Sequence, residues 1–214
     1  MIKKVFGVGI NDANYTVKIQ ESYYIEGKRK RRTTFECPYY VKWKSMLMRC
    51  YSEGYLNKNP TYKDCLVCDE WLTFSNFKSW METQDWEGKQ LDKDLLFRGN
   101  RVYSPTTCLF VPKDVNYFML TCKASRGDTP LGVTHCSRTN HIVAYIRDFS
   151  GKELNLGVFS SYSSAHFAWL YHKISNCKQL LIKHSSSRDV VKGLTAVLYR
   201  LEENFTNKVE CDVL

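Results

Sequence analysis

Apolar residues recur at spacings of three and four at Tyr39, Trp43, Met46, Leu47 and Cys50, which predicts a helix with one buried face. Pro38 fits the first turn of that helix. A second helix is predicted from Ser75 to Met81, packed through Phe74, Phe77, Trp80 and Met81, after a short strand or turn in TYKDCLVCDEW. Upstream, the stretch from Val5 to Gln20 alternates loosely and is broken by Gly7 and Gly9; it predicts a strand, a turn at Asn11-Asp12 and a second strand. The stretch QLDKDLLFRGNRVYSPTTCLFVPKDVNYF, from Gln90 to Phe118, predicts an acidic strand, a loop at Arg98 to Arg101, a strand at Cys108 to Val111 and a short helix carrying Asn116. After a polar connection at Lys123 to Asp128, three short strands are predicted, at Leu131 to Cys136, His141 to Asp148 and Leu154 to Phe159, with a turn at Phe149 to Lys152. The helix that follows keeps helical spacing at Ala165, Ala168, Trp169 and Ile174, with Ser161 or Ser163 as its cap. A last helix, Arg188 to Asn204, carries the apolar stripe Val190, Val191, Leu194, Val197, Leu198 and Leu201. Docking on the protein's own core is the default for that stripe and self-association is the runner-up; the tail after it reads as loose.

Charge adds a partner to this α+β pattern. An apolar share of 43% is ordinary for a protein with a core, whereas 31 Lys and Arg against 22 Asp and Glu give a net charge of +9. With 14% aromatic residues, that balance points first to nucleic acid and second to an acidic protein partner. Five cations are consecutive: Lys28, Arg29, Lys30, Arg31 and Arg32, with Glu26 as the nearby carboxylate. They cannot all be buried or paired locally, so they form a solvated run, read as a phosphate-contacting arm or as a solubilising loop. Nine cysteines at irregular spacings, without an apolar secretory leader, suit reduced thiols in a cytoplasmic protein. No run of about 18 apolar residues predicts a membrane span.

Two constellations suggest metal chemistry. Asp92 and Asp94 stand two apart, so on a regular strand both carboxylates leave one face and could share a divalent cation such as Mg2+, with the amide oxygen of Asn116 folding back to the same ion. The competing reading pairs these carboxylates with Lys89, Arg98 or Arg101 on a surface hairpin. Cys65 and Cys68 form a C-x-x-C, half of a Zn2+ site, which Cys50, Cys108 or Cys122 would have to complete; buried structural thiols are the alternative.

The segments WKSMLMRCY, VCDEWLTFSNFKSWM, LDKDLL, GN and YSPTTCLFV, between about residues 38 and 118, resemble the HNH-type (ββα-metal) endonuclease-like proteins carried by bacteriophages, often as free-standing homing nucleases. The resemblance implies a divalent-metal-dependent hydrolase of double-stranded DNA, with Asp92 and Asn116 as metal ligands. Lys93 stands where that family places a histidine as general base. An ammonium with a reference pKa near 10.4 is a poor base at neutral pH, so either Asp94 or the metal alone activates water, or the chain binds DNA without cutting it. The segments LGV, VAYIRD, GK, LGVF and SAHFAWLY, from about residue 130 to 173, resemble the APETALA2/ERF-like DNA-binding domain. That resemblance implies base reading by Arg147 on the middle strand. Leu131, Thr134 and Asn155 replace residues the family uses, which thins the readout. Independently of family, alternation along the middle strand puts Ile142, Ala144 and Ile146 on one face and His141, Val143, Tyr145 and Arg147 on the other, beside Asn155. The expected organisation is an HNH-like module with its basic arm at 1–125, an APETALA2/ERF-like module at 126–184 and a C-terminal helix and tail at 185–214.

Overall fold

The computed structural model describes residues 4–121, 127–148, 151–211 and 214. The chain divides into two units, Met1–Phe110 and Val111–Leu214, each mixing helix and strand. Cys122, Lys123 to Arg126 and Phe149-Ser150 lie outside the described residues.

The first unit begins differently from the expected strand, turn and strand. Val5 and Gly9 form an isolated bridge around Phe6 and Gly7, and Ile10 bridges to Thr73. The alternation in this stretch reflects docking rather than sheet pairing. A Cβ on Gly9 would stand 2.4 Å from Leu47 Cδ1 and 2.9 Å from the Trp43 ring, so only glycine allows the close approach. The first long strand comes later: β1, Lys18–Ile25, pairs antiparallel with β2, Lys28–Glu36. Glu26 and Gly27 turn between them with φ of 50° and 73°, the left-handed pair that a two-residue hairpin loop needs.

The helix α1, Pro38–Tyr51, starts on Pro38 and buries Trp43, Met46, Leu47 and Cys50. α2, Glu53–Lys58, follows it. α3, Phe74–Glu82, buries Phe74, Phe77 and Met81 in the same core. Trp43 Nε1 donates to the Trp71 carbonyl at 2.7 Å, and the Trp71 ring meets Trp80 at 4.4 Å and Phe77 at 5.1 Å. Each large side chain so buried stabilises the unit by roughly 1.5–3 kcal/mol before entropy is counted. Thr73 supplies no side-chain cap to α3; instead Asp12 reaches in, its Oδ1 accepting from Ser75 N at 2.9 Å and its Oδ2 from the Ser75 hydroxyl at 2.6 Å. Two small pairs complete the unit. β3, Leu66–Val67, runs parallel to β5, Val102–Tyr103, and β4, Gln90–Asp92, pairs with β6, Leu109–Val111.

The second unit starts with α4, Lys113–Phe118. Its sheet has the order β7-β8-β9, all antiparallel, with β7 at Val133–Cys136, β8 at His141–Arg147 and β9 at Glu153–Phe159. Val133 and Ala144 pack on Ala165 of α5, Tyr162–Lys183. Ser161 and Ser164 form a capping box at the start of α5, so Ser161 rather than Ser163 is the cap. Gly132, at φ 77°, lies against Trp169 so closely that a Cβ would stand 2.0 Å from the indole. α6, Arg188–Thr206, buries Val190, Leu194, Val197 and Leu201, and Cys177 of α5 donates its thiol to the Leu194 carbonyl at 3.5 Å. The C-terminal stripe is therefore covered within its own unit. Self-association through it would first have to uncover it. The tail is docked rather than loose at Cys211, whose amide donates to Nε2 of the fully buried His166 at 3.2 Å while His166 Nδ1 bonds to the Leu131 carbonyl at 3.0 Å. Among the described residues, no helix is long and apolar enough to cross a membrane.

Candidate functional site

The acidic hairpin is organised by hydrogen bonds that its carboxylates make to their own loop. β4 ends at Asp92, so Asp94 is not on the strand and the two carboxylates do not share one pleated face. Asp92 Oδ1 accepts from the amides of Asp94 at 2.9 Å and Leu95 at 2.7 Å, an Asx turn that bends the chain as soon as the strand stops. Burial pushes the Asp92 carboxyl above the usual carboxylate range, opposed by the Leu95 amide and reinforced by the neighbouring Asp94. Lys93 is 7% exposed. Its ammonium donates to both Asp94 oxygens at 2.8 Å and to the Asn100 carbonyl at 2.7 Å, and lies 5.9 Å from the Tyr103 ring centroid. Asn100 answers with its amide nitrogen, donating to the Lys93 carbonyl at 3.0 Å and the Val102 carbonyl at 2.8 Å. Lys93, Asp94 and Asn100 thus knot the loop between β4 and β5 shut. Sequence reasoning passed over Asn100, whose polar type in a G-N turn is the only signal for this role.

This arrangement does not fit a cation shared between Asp92 and Asp94. Both Asp94 oxygens are taken by an ammonium, and an added cation would meet that charge at contact distance. Asp92 belongs to the first unit and Asn116, on α4, to the second. Among the described residues, no three His, Cys, Asp or Glu side chains gather to hold a metal ion. The C-x-x-C does not form a chelating knuckle either. Cys65 and Cys68 bracket β3, and among the described residues no third ligand gathers with them. Burial raises both thiols, and it pushes Cys50 and Cys108 up to about 12, the direction expected of thiols packed among apolar side chains.

Two polar surfaces are open. On the sheet, His141, Tyr145 and Arg147 alternate along β8 on the face opposite Ala144 and Ile146, and all three are exposed. Asn155 of β9 stands opposite Tyr145, after a bulge between Ala144 and Tyr145, and its side-chain oxygen accepts from the Gly157 amide at 2.8 Å. Val143 lies on the same outer row but is buried, so the exposed row is interrupted at its middle. Arg147 approaches Glu153 at 3.9 Å with both side chains largely in solvent. On the β1-β2 ribbon every residue from Ile19 to Phe35 is exposed, Lys28 to Arg32 included. The basic run, read as a phosphate-contacting arm or a solubilising loop, is strand β2. Arg98 is exposed on the knotted loop, and Arg101 donates to the Lys63 carbonyl at 2.8 Å near Asp64.

Comparison of the chain with protein-family models, with curated proteins and with solved structures returns no match.

Proposed function

We propose that this chain binds double-stranded DNA and that the outer face of the β7-β8-β9 sheet carries base recognition. The observation that supports this most directly is the exposed pair Tyr145 and Arg147 on the middle strand, opposite a face packed on α5, with Asn155 beside them in register. A guanidinium on a rigid strand suits bidentate pairing with guanine O6 and N7. His141 lies one end of the row further. The exposed cations Lys28 to Arg32, Arg98 and Arg101 add contacts to phosphates, which position without specifying. The same arginine is the base reader that the APETALA2/ERF-like resemblance implies. Selection from a random duplex pool tests this: wild type enriches a motif, and Arg147→Ala binds the enriched duplex about tenfold or more weakly while losing the enrichment. Unchanged enrichment with Arg147→Ala contradicts the assignment.

The second reading, a phage-type HNH-like endonuclease dependent on Mg2+ or a similar ion, draws on Asp92. Its Oδ1 closes the turn, and its Oδ2 accepts no hydrogen bond among the described residues. Against this stands Lys93, held as a structural ammonium where the general base is expected. Supercoiled-plasmid nicking with Mg2+ or Mn2+ decides between cutting and binding alone: metal-dependent nicking by wild type that is absent from Asp92→Ala establishes the enzyme. A DNA-bound, non-nicking wild type retires it.

A further inference from the structure

We infer that the β1-β2 ribbon enters the DNA major groove as a two-faced wedge, with each face directed at one of the groove's phosphate walls. This rests on the reading that the partner is duplex DNA. The register fixes which residues share a face. Gln20 with Thr33, Ser22 with Arg31 and Tyr24 with Arg29 lie on one side; Glu21 with Arg32, Tyr23 with Lys30 and Ile25 with Lys28 lie on the other. Side-chain bonds agree with that division. Gln20 donates to the Thr33 hydroxyl at 3.3 Å and Arg29 to the Ser22 hydroxyl at 2.9 Å on the first face, and Arg32 donates to the Glu21 carboxylate at 2.9 Å on the second.

The charge that remains is divided evenly. Among the described residues, Arg32 is the only one of the five cations with a carboxylate partner. Arg29 and Arg31 stay uncompensated on one face, and Lys28 and Lys30 on the other. A ribbon built to lie flat along a phosphate backbone gains nothing from cations on the side turned to solvent. A ribbon standing in a groove meets phosphates on both sides. The major groove of B-DNA, about 12 Å wide and about 8.5 Å deep, admits a two-stranded ribbon, and at about 3.4 Å per residue that depth takes the last two or three residue pairs. The narrow major groove of duplex RNA admits no such ribbon.

Neither face packs on the protein itself, and a two-stranded ribbon alone is only marginally stable, which is the condition of an element completed by its partner. Pairing of a second copy along the edge of β2 is disfavoured by its five adjacent cations, since charged residues on an edge oppose strand addition. Tyr24 and Ile25, 70% and 51% exposed beside the turn, bring apolar surface to the floor of the groove, where thymine methyl groups lie.

The test uses the full chain and a duplex whose affinity is followed across salt. Arg29→Gln/Arg31→Gln removes one face's charge and Lys28→Gln/Lys30→Gln the other's. All four positions are solvent-exposed, so folding is checked by an unchanged melting temperature. Each pair is expected to make the slope of log K against log salt shallower by about 1.8, a loss of about 30-fold at 0.15 M salt, with neither pair altering affinity for a duplex RNA of the same sequence. Prior methylation of guanine N7, which projects into the major groove, is expected to weaken wild type. A slope changed by only one pair means that the ribbon lies flat and overturns the inference. So does an equal loss against duplex RNA, or competition for the ribbon by polyglutamate but not by DNA. If the ribbon variants bind DNA like wild type while Arg147→Ala does not, the wedge fails and the sheet reading stands. If wild type binds no duplex DNA at low salt, both fall.

Discussion

Lys93 shows how one side chain sets the chemistry of a loop. Its ammonium is nearly removed from water and holds two carboxylate oxygens and a carbonyl, so Lys93→Met leaves Asp94 and the Asn100 carbonyl without their donor. Charge-assisted hydrogen bonds of this kind contribute roughly 1.5–3 kcal/mol, and Lys93→Met is expected to lower the first unit's stability by about 2 kcal/mol in denaturant melts. Asp92 behaves in the opposite way. Its raised carboxyl means that ionisation at neutral pH works against the fold, whereas its Oδ1 bonds work for it. Asp92→Asn keeps that acceptor without the charge and is expected to melt at or above the wild-type temperature; Asp92→Ala loses the turn and melts lower by about 1–2 kcal/mol. A clear loss of stability in Asp92→Asn would show that the fold itself needs the charge. Neither the turn nor the lysine knot was legible in the sequence, because D-K-D satisfies the alternation of a strand and of a turn alike. The choice is made by backbone amides whose positions the side-chain pattern does not encode.

At the level of elements, legibility followed burial. α1, α3 and the β7-β8-β9 sheet bury one face each, so their apolar periods appear in the sequence and the structure places them within a few residues of expectation. The ribbon buries neither face, so its strands carry no alternation and its cations read as an arm or loop rather than a strand. Asp114 shows a related blind spot, since its partners come from the far end of α5. It accepts from His184 at 3.0 Å and pairs with Lys183 at 2.7 Å. Burial alone would raise this carboxyl, yet the Lys183 and His184 hydrogen bonds leave it below its ordinary value. A depressed folded value contributes stability that is present above the unfolded value, near 3.9, and is lost as pH falls through the folded one. The second unit is therefore expected to lose stability on acidification below about pH 4, and Asp114→Asn to reduce that loss in melts across the acid range. An identical acid profile for Asp114→Asn would show that the pairing adds nothing.

At the level of the whole molecule, the first unit carries an open cationic ribbon and the second an exposed sheet row of His141, Tyr145 and Arg147, on a chain of net charge +9. The basic composition points to a polyanion partner without placing it, and the middle-strand alternation made the exposure of Arg147 legible. Composition could not show that the first unit's cations stand on a ribbon exposed on both sides, because charge count carries no geometry. The proposed DNA binding rests largely on phosphate contacts, so the measurement that decides it is the salt dependence of wild-type affinity for a labelled duplex. If Lys28 to Arg31, the four ribbon cations without a carboxylate partner among the described residues, make the contacts, affinity should fall by about 150-fold between about 50 and 200 mM salt, along a straight line in log K against log salt. Affinity that is absent at 50 mM, or that stays flat across that range, would contradict the account.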